Sequence, residues 1–170
     1  MDTVSKKTTN GTLVVDIVGH AEPNNGRSLW KVNVLYNNTN INEKLFSNNW
    51  NYINERIDHW QQEGFGYVYI PVEGTAKLIH LDILEIHDLI YERISTVSFI
   101  GNSFQCNKLM EVYSDVIKIT DLATLQTRLF NYKNLERVEN ATFLNEKEIE
   151  VHLVKYKGRN HEKRTEIRRI

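Results

Sequence analysis

Residues 28–36, SLWKVNVLY, alternate so that Trp30, Val32, Val34 and Tyr36 share one face of an extended chain and Leu29, Lys31, Asn33 and Leu35 the other. A period of two is a strand's period, and the first face, apolar or aromatic throughout, is the core side. Residues 12–18, TLVVDIV, are equally rich in β-branched side chains, and the AEPNNGR between the two runs carries turn-forming Pro, Asn and Gly. The N-terminal part reads as an antiparallel hairpin.

Downstream the periodicity changes. Trp50, Ile53, Ile57 and Trp60 recur at spacings of three, four and three, which predicts an amphipathic helix over about residues 49–63. Ser47 or Asn48 can cap it, and Gly64 suits its C-terminal left-handed position. GYVYIPV and AKLIHL, joined by EGT, read as a second hairpin in which Pro71 marks an edge or a bend. TVSFIG and VIKI are short strand candidates. LATLQTRLFNY, after Thr120-Asp121, reads as a helix with Leu122, Leu125, Leu129 and Tyr132 as its apolar side, and TFL and EIEVHLVKY flank NEK as a third hairpin. There is neither an internal repeat nor the strand-helix-strand rhythm of a parallel sheet. The expected class is α+β: a mainly antiparallel sheet built from hairpins, with two or three helices packed on it.

With 170 residues, 41% of them hydrophobic and 25% charged, the chain has the composition of one globular domain. The expected division is a domain over 1–157 followed by a basic C-terminal tail, 158–170. Cys106 is the single cysteine, so no disulfide within the chain and no thiolate metal cluster is possible. No apolar run approaches the eighteen residues needed to cross a bilayer and the first residues lack a signal-like apolar stretch, so the expectation is a cytoplasmic protein without membrane contact. The sequons at Asn10, Asn37 and Asn140 then fall by chance in an asparagine-rich chain. Asn, Lys and Ile enrichment is also what an AT-rich genome produces, pointing to a low-GC bacterium or its phage or mobile elements.

The densest chemistry lies in HLDILEIHD, residues 80–88. On one helix His80 and His87 would sit about 20° apart but two turns distant, with Asp82 and Glu85 elsewhere; on one strand the set splits between faces. A third parse makes the stretch a strand-to-helix junction: Asp82 caps a helix starting at Ile83, Glu85 takes the third position of a capping box, and Ile83, Ile86, Ile90 and Ile94 form its stripe. The seven-residue histidine spacing also departs from the four of helical zinc motifs, so no metal and no cofactor is expected. His20 near Asp16, at a strand end, is a second acid–base candidate. EGTAK and GFGYVY lack the glycines of phosphate-binding loops.

Charge is distributed unevenly. Residues 155–170 hold Lys155, Lys157, Arg159, Lys163, Arg164, Arg168 and Arg169 against two glutamates, a net +5, which leaves −6 on residues 1–154 within the total of −1. A basic tail can bind nucleic-acid phosphates or an acidic partner. Only Tyr156 among these residues offers a stacking surface.

Three functions follow. The leading expectation is a non-catalytic protein acting through protein–protein contact, such as an inhibitor or immunity-type protein of a phage or mobile element, with homodimerisation open to it. The second is a hydrolytic or nucleolytic enzyme using Asp16, His20, His80 or His87. The third is a nucleic-acid-associated protein working through the tail.

Overall fold

The computed structural model describes residues 3–21, 29–46, 52–54, 63–72, 75–90, 99–132, 136–158 and 160–170. It divides into two compact units, residues 1–93 and 94–170, where the sequence suggested one domain and a tail. Each unit holds its own apolar core.

In the first unit β1 (Thr3–Lys7), β2 (Thr12–Ala21) and β3 (Leu29–Tyr36) pair antiparallel, and the expected β2–β3 hairpin sets Val15 against Val34 and Ile17 against Val32. Val32 and Val34 are fully buried, with Trp30 and Tyr36 packed beside them, as the alternation requires. The sheet continues through β4 (Thr39–Asn40), β5 (Tyr52–Asn54), β6 (Glu63–Gly64), β7 (Tyr67–Val72), β8 (Thr75–His80) and β9 (Glu85–Ile90), in the order β1-β2-β3-β5-β7-β8-β9, with β4 on β3 and β6 on β7. A single four-residue helix among the described residues, α1 (Asn42–Leu45), follows β4. Asn42 mimics a strand neighbour: its Oδ1 accepts from the Val34 amide and its Nδ2 donates to the Val32 carbonyl.

This sheet coils back on itself. Side chains of β2 and β3 share one core with Val68, Ile70 and Ile79 of β7 and β8, and Thr8 and Tyr36 donate across to Asp82 and the Leu81 carbonyl. Burying each such Val, Leu or Ile stabilises the fold by about 1.5–3 kcal/mol. β7 and β8 are buried on their other face too, at Tyr69, Ala76 and Leu78.

In the second unit β10 (Phe99–Gln105), β11 (Lys108–Tyr113), β12 (Val116–Asp121) and β13 (Thr127–Asn131) form one antiparallel meander. β14 (Glu136–Asn145), β15 (Glu148–Lys157) and β16 (Asn160–Arg169) form another, made of ten-residue strands. Met110, Val112, Ile117 and Ile119 of the first sheet meet Val138, Ile149, Val151 and Leu153 of the second in one core. The expected β14–β15 hairpin is present.

The α+β expectation is corrected: the described chain is almost entirely antiparallel sheet. Of the helix expected at 49–63, residues 49–51 and 55–62 lie outside the described residues, while Tyr52–Asn54 is β5, bridging β3 and β7 through a fully buried Ile53, and Glu63 begins β6. The helix from Ile83 is instead a turn at 81–84 and strand β9, which pairs with β8 so that Ile79 faces Ile86. The helix after Asp121 is replaced by a single helical turn. Asp121 does cap it, its Oδ1 accepting from the Ala123 and Thr124 amides, and Leu125 N–H reaches the Asp121 carbonyl at 2.8 Å. Leu125 then takes a left-handed φ of 57° and the chain turns back as β13. Residues 160–169, expected in the tail, are β16, paired with β15 along its whole length. No helix among the described residues is long and apolar enough to cross a membrane.

Candidate functional site

As a hairpin, HLDILEIHD does what neither a lone helix nor a lone strand could. β8 and β9 pair with His80 opposite Glu85 and Leu78 opposite His87, so both histidines and Glu85 stand on one face. His87 Nε2 lies 3.6 Å from Glu85 Oε1. Tyr67, opposite His80 on β7, meets its ring edge-on at 4.5 Å. Burial, and secondly the Glu85 charge, push the Tyr67 hydroxyl above its ordinary pKa, so it is a poor nucleophile at neutral pH. Asp82 is drawn away to Thr8, and Asp88 pairs with Lys77. No group of three or more metal-ligating side chains is assembled among the described residues. Among the described residues the cluster brings together two imidazoles, a carboxylate and a phenol.

The Asp16–His20 pair is separated by the backbone. A β-bulge between Ile17 and Gly19 inserts one residue, so Asp16 stands opposite Asn33 on the outer face while His20 stands opposite Trp30 on the inner one. Asp16 accepts from the Thr3 hydroxyl at 2.8 Å, and the His20 ring lies 4.4 Å from that of Trp30.

Most of the described basic residues of the last two strands are ion-paired where they stand. Lys163 pairs with Glu139 at 2.7 Å, Arg164 with Glu136 and Glu166, Arg168 with Glu166 at 2.6 Å, and Lys157 with Glu162 at 2.8 Å. Burial pushes the Glu166 carboxyl up, but Arg168, Tyr132 and Arg164 together hold it below the usual range. Tyr132, buried beside Glu166, is pushed up to about 12. Lys155 and Arg169 make no ion pair among the described residues; Arg159 lies outside them.

Two arrangements escaped the sequence reading. On the outer face of the second sheet, Thr165 Oγ1 lies 3.1 Å from His152 Nδ1 while His152 Nε2 lies 3.0 Å from Glu150 Oε2, a hydroxyl–imidazole–carboxylate chain. The alternation in EIEVHLVKY places Glu150 and His152 on one face, but Thr165 joins them only through the β15–β16 register. The N–H groups of an extended strand point alternately to opposite edges, so no two converge on an oxyanion over Thr165. In the other sheet Glu111, fully buried, faces Lys118 across β11 and β12 at 3.1 Å and accepts from Tyr113 at 3.0 Å.

The third feature is apolar. β6 and β7 are joined by the two residues Phe65 and Gly66, with φ of 55° and 79°, the two positive values of a type I′ turn. Asn, Asp or Gly ordinarily fills the first of these positions. Phe65 fills it and remains 55% exposed. The adjoining β8–β9 turn, tied to this one by Leu81 N–H to Gly66 carbonyl at 2.8 Å, carries Ile83 at 65% exposure. No protein-family model, curated protein or solved structure matches the chain.

Proposed function

We propose that this chain is a non-catalytic binding protein acting through protein–protein contact, with the joined hairpin tips at Phe65 and Ile83 as its contact surface. The observation that carries this reading is Phe65. A bulky side chain in left-handed backbone costs roughly 1 kcal/mol, and burial within the chain does not offset that cost because the ring is more than half exposed. An apolar anchor on a two-residue turn that is hydrogen-bonded to its neighbouring turn is a binding feature, since less ordering then remains to be done when the partner arrives. Glu85 beside the tips suits a partner with basic groups around an apolar pocket, and an inhibitor or immunity-type protein of a phage or mobile element would use such a surface.

Phe65→Asn separates fold from function. Asn is favoured at this position of a type I′ turn, so the variant is expected to be about 0.5–1 kcal/mol more stable in chemical denaturation. It is also expected to lose a partner that the unaltered protein retains from a lysate of the source organism. Equal retention by both proteins, or a less stable variant, would remove the reading.

A further inference from the structure

β13 closes one side of the β10–β13 sheet, and no strand among the described residues pairs with its outer edge. Four of its five residues are exposed, with Leu129 at 52%. Exposed edges invite pairing with another chain, and folded proteins blunt them with charges, bulges or prolines. Other edges in this protein carry such devices. β16 holds six Lys, Arg or Glu residues, β14 has two register shifts, β10 has one, and β1 ends in Lys6 and Lys7. β13, TRLFN, has neither bulge nor proline, and its one charge, Arg128, lies over the Phe130 ring at 5.0 Å.

Asp121 N–H donates to the Gln126 carbonyl and Tyr132 N–H to the Asp115 carbonyl, so both are hydrogen-bonded pairs of the β12–β13 register. Antiparallel pairs alternate between bonded and non-bonded. Arg128 and Phe130 therefore bond to β12, and the N–H and C=O groups of Thr127, Leu129 and Asn131 point to the open edge.

From this parity we infer that β13 is a self-association edge, and that its occupant is the β13 of a second copy of this chain, antiparallel about a two-fold axis at Leu129. In that register Leu129 faces Leu129 and Thr127 faces Asn131 of the other copy, so all six outward backbone groups form hydrogen bonds. Arg128 meets the other copy's Phe130 in a non-bonded pair, where side chains approach most closely. A guanidinium over an aromatic face is an attractive contact, and the symmetry makes it twice. The two four-stranded sheets become one of eight strands. Centring the axis on Thr127 or Asn131 leaves outward groups unpaired.

The inference is independent of the Phe65 surface, and Phe65→Asn should leave the dimer unchanged. The test is the mass of the full chain in solution by sedimentation across a range of concentrations, together with directed cross-linking. The protein is expected to double from 20.0 kDa as concentration rises. Leu129→Lys, a charge at an exposed position, should abolish the doubling while keeping the native circular dichroism. A lysine at Thr165, the centre of the β16 edge, should not. In a Cys106→Ser background, Leu129→Cys should give a disulfide-linked dimer under mild oxidation and Arg128→Cys should not, because position 128 faces 130 across the axis. A protein monomeric at all concentrations, a dimer that survives Leu129→Lys, or cross-linking at Thr165→Cys instead of Leu129→Cys would each overturn the inference.

Discussion

A Cβ on Gly11 would lie 1.9 Å from the Leu81 carbonyl oxygen and 2.8 Å from the Tyr36 hydroxyl. Neither neighbour can yield freely, since Tyr36 donates to that same carbonyl and Leu81 N–H is held by Gly66. Gly11→Ala is therefore expected to destabilise the first unit by about 3 kcal/mol, read by chemical denaturation, while Gly101→Ala, with nothing within 4 Å, should be close to neutral. Little of this contact is visible in the sequence, where Gly11 is one turn glycine in TTNG and its neighbours are 25 and 70 residues away. The candidate site residues divide in the same way. His80, Glu85 and His87 come together because a turn at 81–84 folds the segment onto itself, whereas Asp16 and His20 part because one inserted residue at the bulge reverses the facing of everything after it. Composition marks all five as chemically able, but only register decides which of them meet.

At the scale of elements, the misread segments share a cause. Asp121 is an effective cap in the sequence and in the structure; what ends the helix is Leu125 in left-handed backbone, a conformation no residue pattern announces for leucine. The cap makes a pH prediction. Hydrogen bonds from the Thr124 backbone and side chain and from the Ala123 amide, aided by Lys108, hold the Asp121 carboxyl below its ordinary pKa. A carboxyl with a lowered folded pKa contributes stability above its unfolded value, near 4, and loses it as pH falls through the folded one. Asp121→Asn should thus be less stable than the unaltered chain at neutral pH, with the gap closing in melts carried below about pH 4. A constant gap down to pH 2 would show the charge to be irrelevant. β16 carries the same lesson with opposite sign. Its charges suggested a solvated tail, yet their alternation with Thr165 and Ile167 is compatible with an edge strand whose side chains pair with Glu136 and Glu139 of β14.

For the molecule as a whole, sheet structure predicts a far-ultraviolet circular dichroism spectrum of strand type. A spectrum dominated by helix would contradict the pairing described above. The pairings of β2 with β3, β7 with β8 and β14 with β15 were legible because each rests on local alternation and a nearby turn, so chain neighbours carry the information. Two properties follow from the sequence directly: the inward set Trp30, Val32, Val34 and Tyr36, and the exclusion of disulfides by a lone cysteine. The tertiary structure alone decided that Ile53 belongs to a strand, that β7 and β8 are buried on both faces, and that two cores form rather than one. It also decided that Phe65 and Leu129, ordinary core formers by composition, stand exposed on a turn and an edge. The physical reason is the same throughout. Propensity and periodicity act over a few residues, whereas strand neighbours, hydrogen-bond parity and burial are set by pairings between segments far apart in the chain, where a shift of one residue exchanges the inside for the outside.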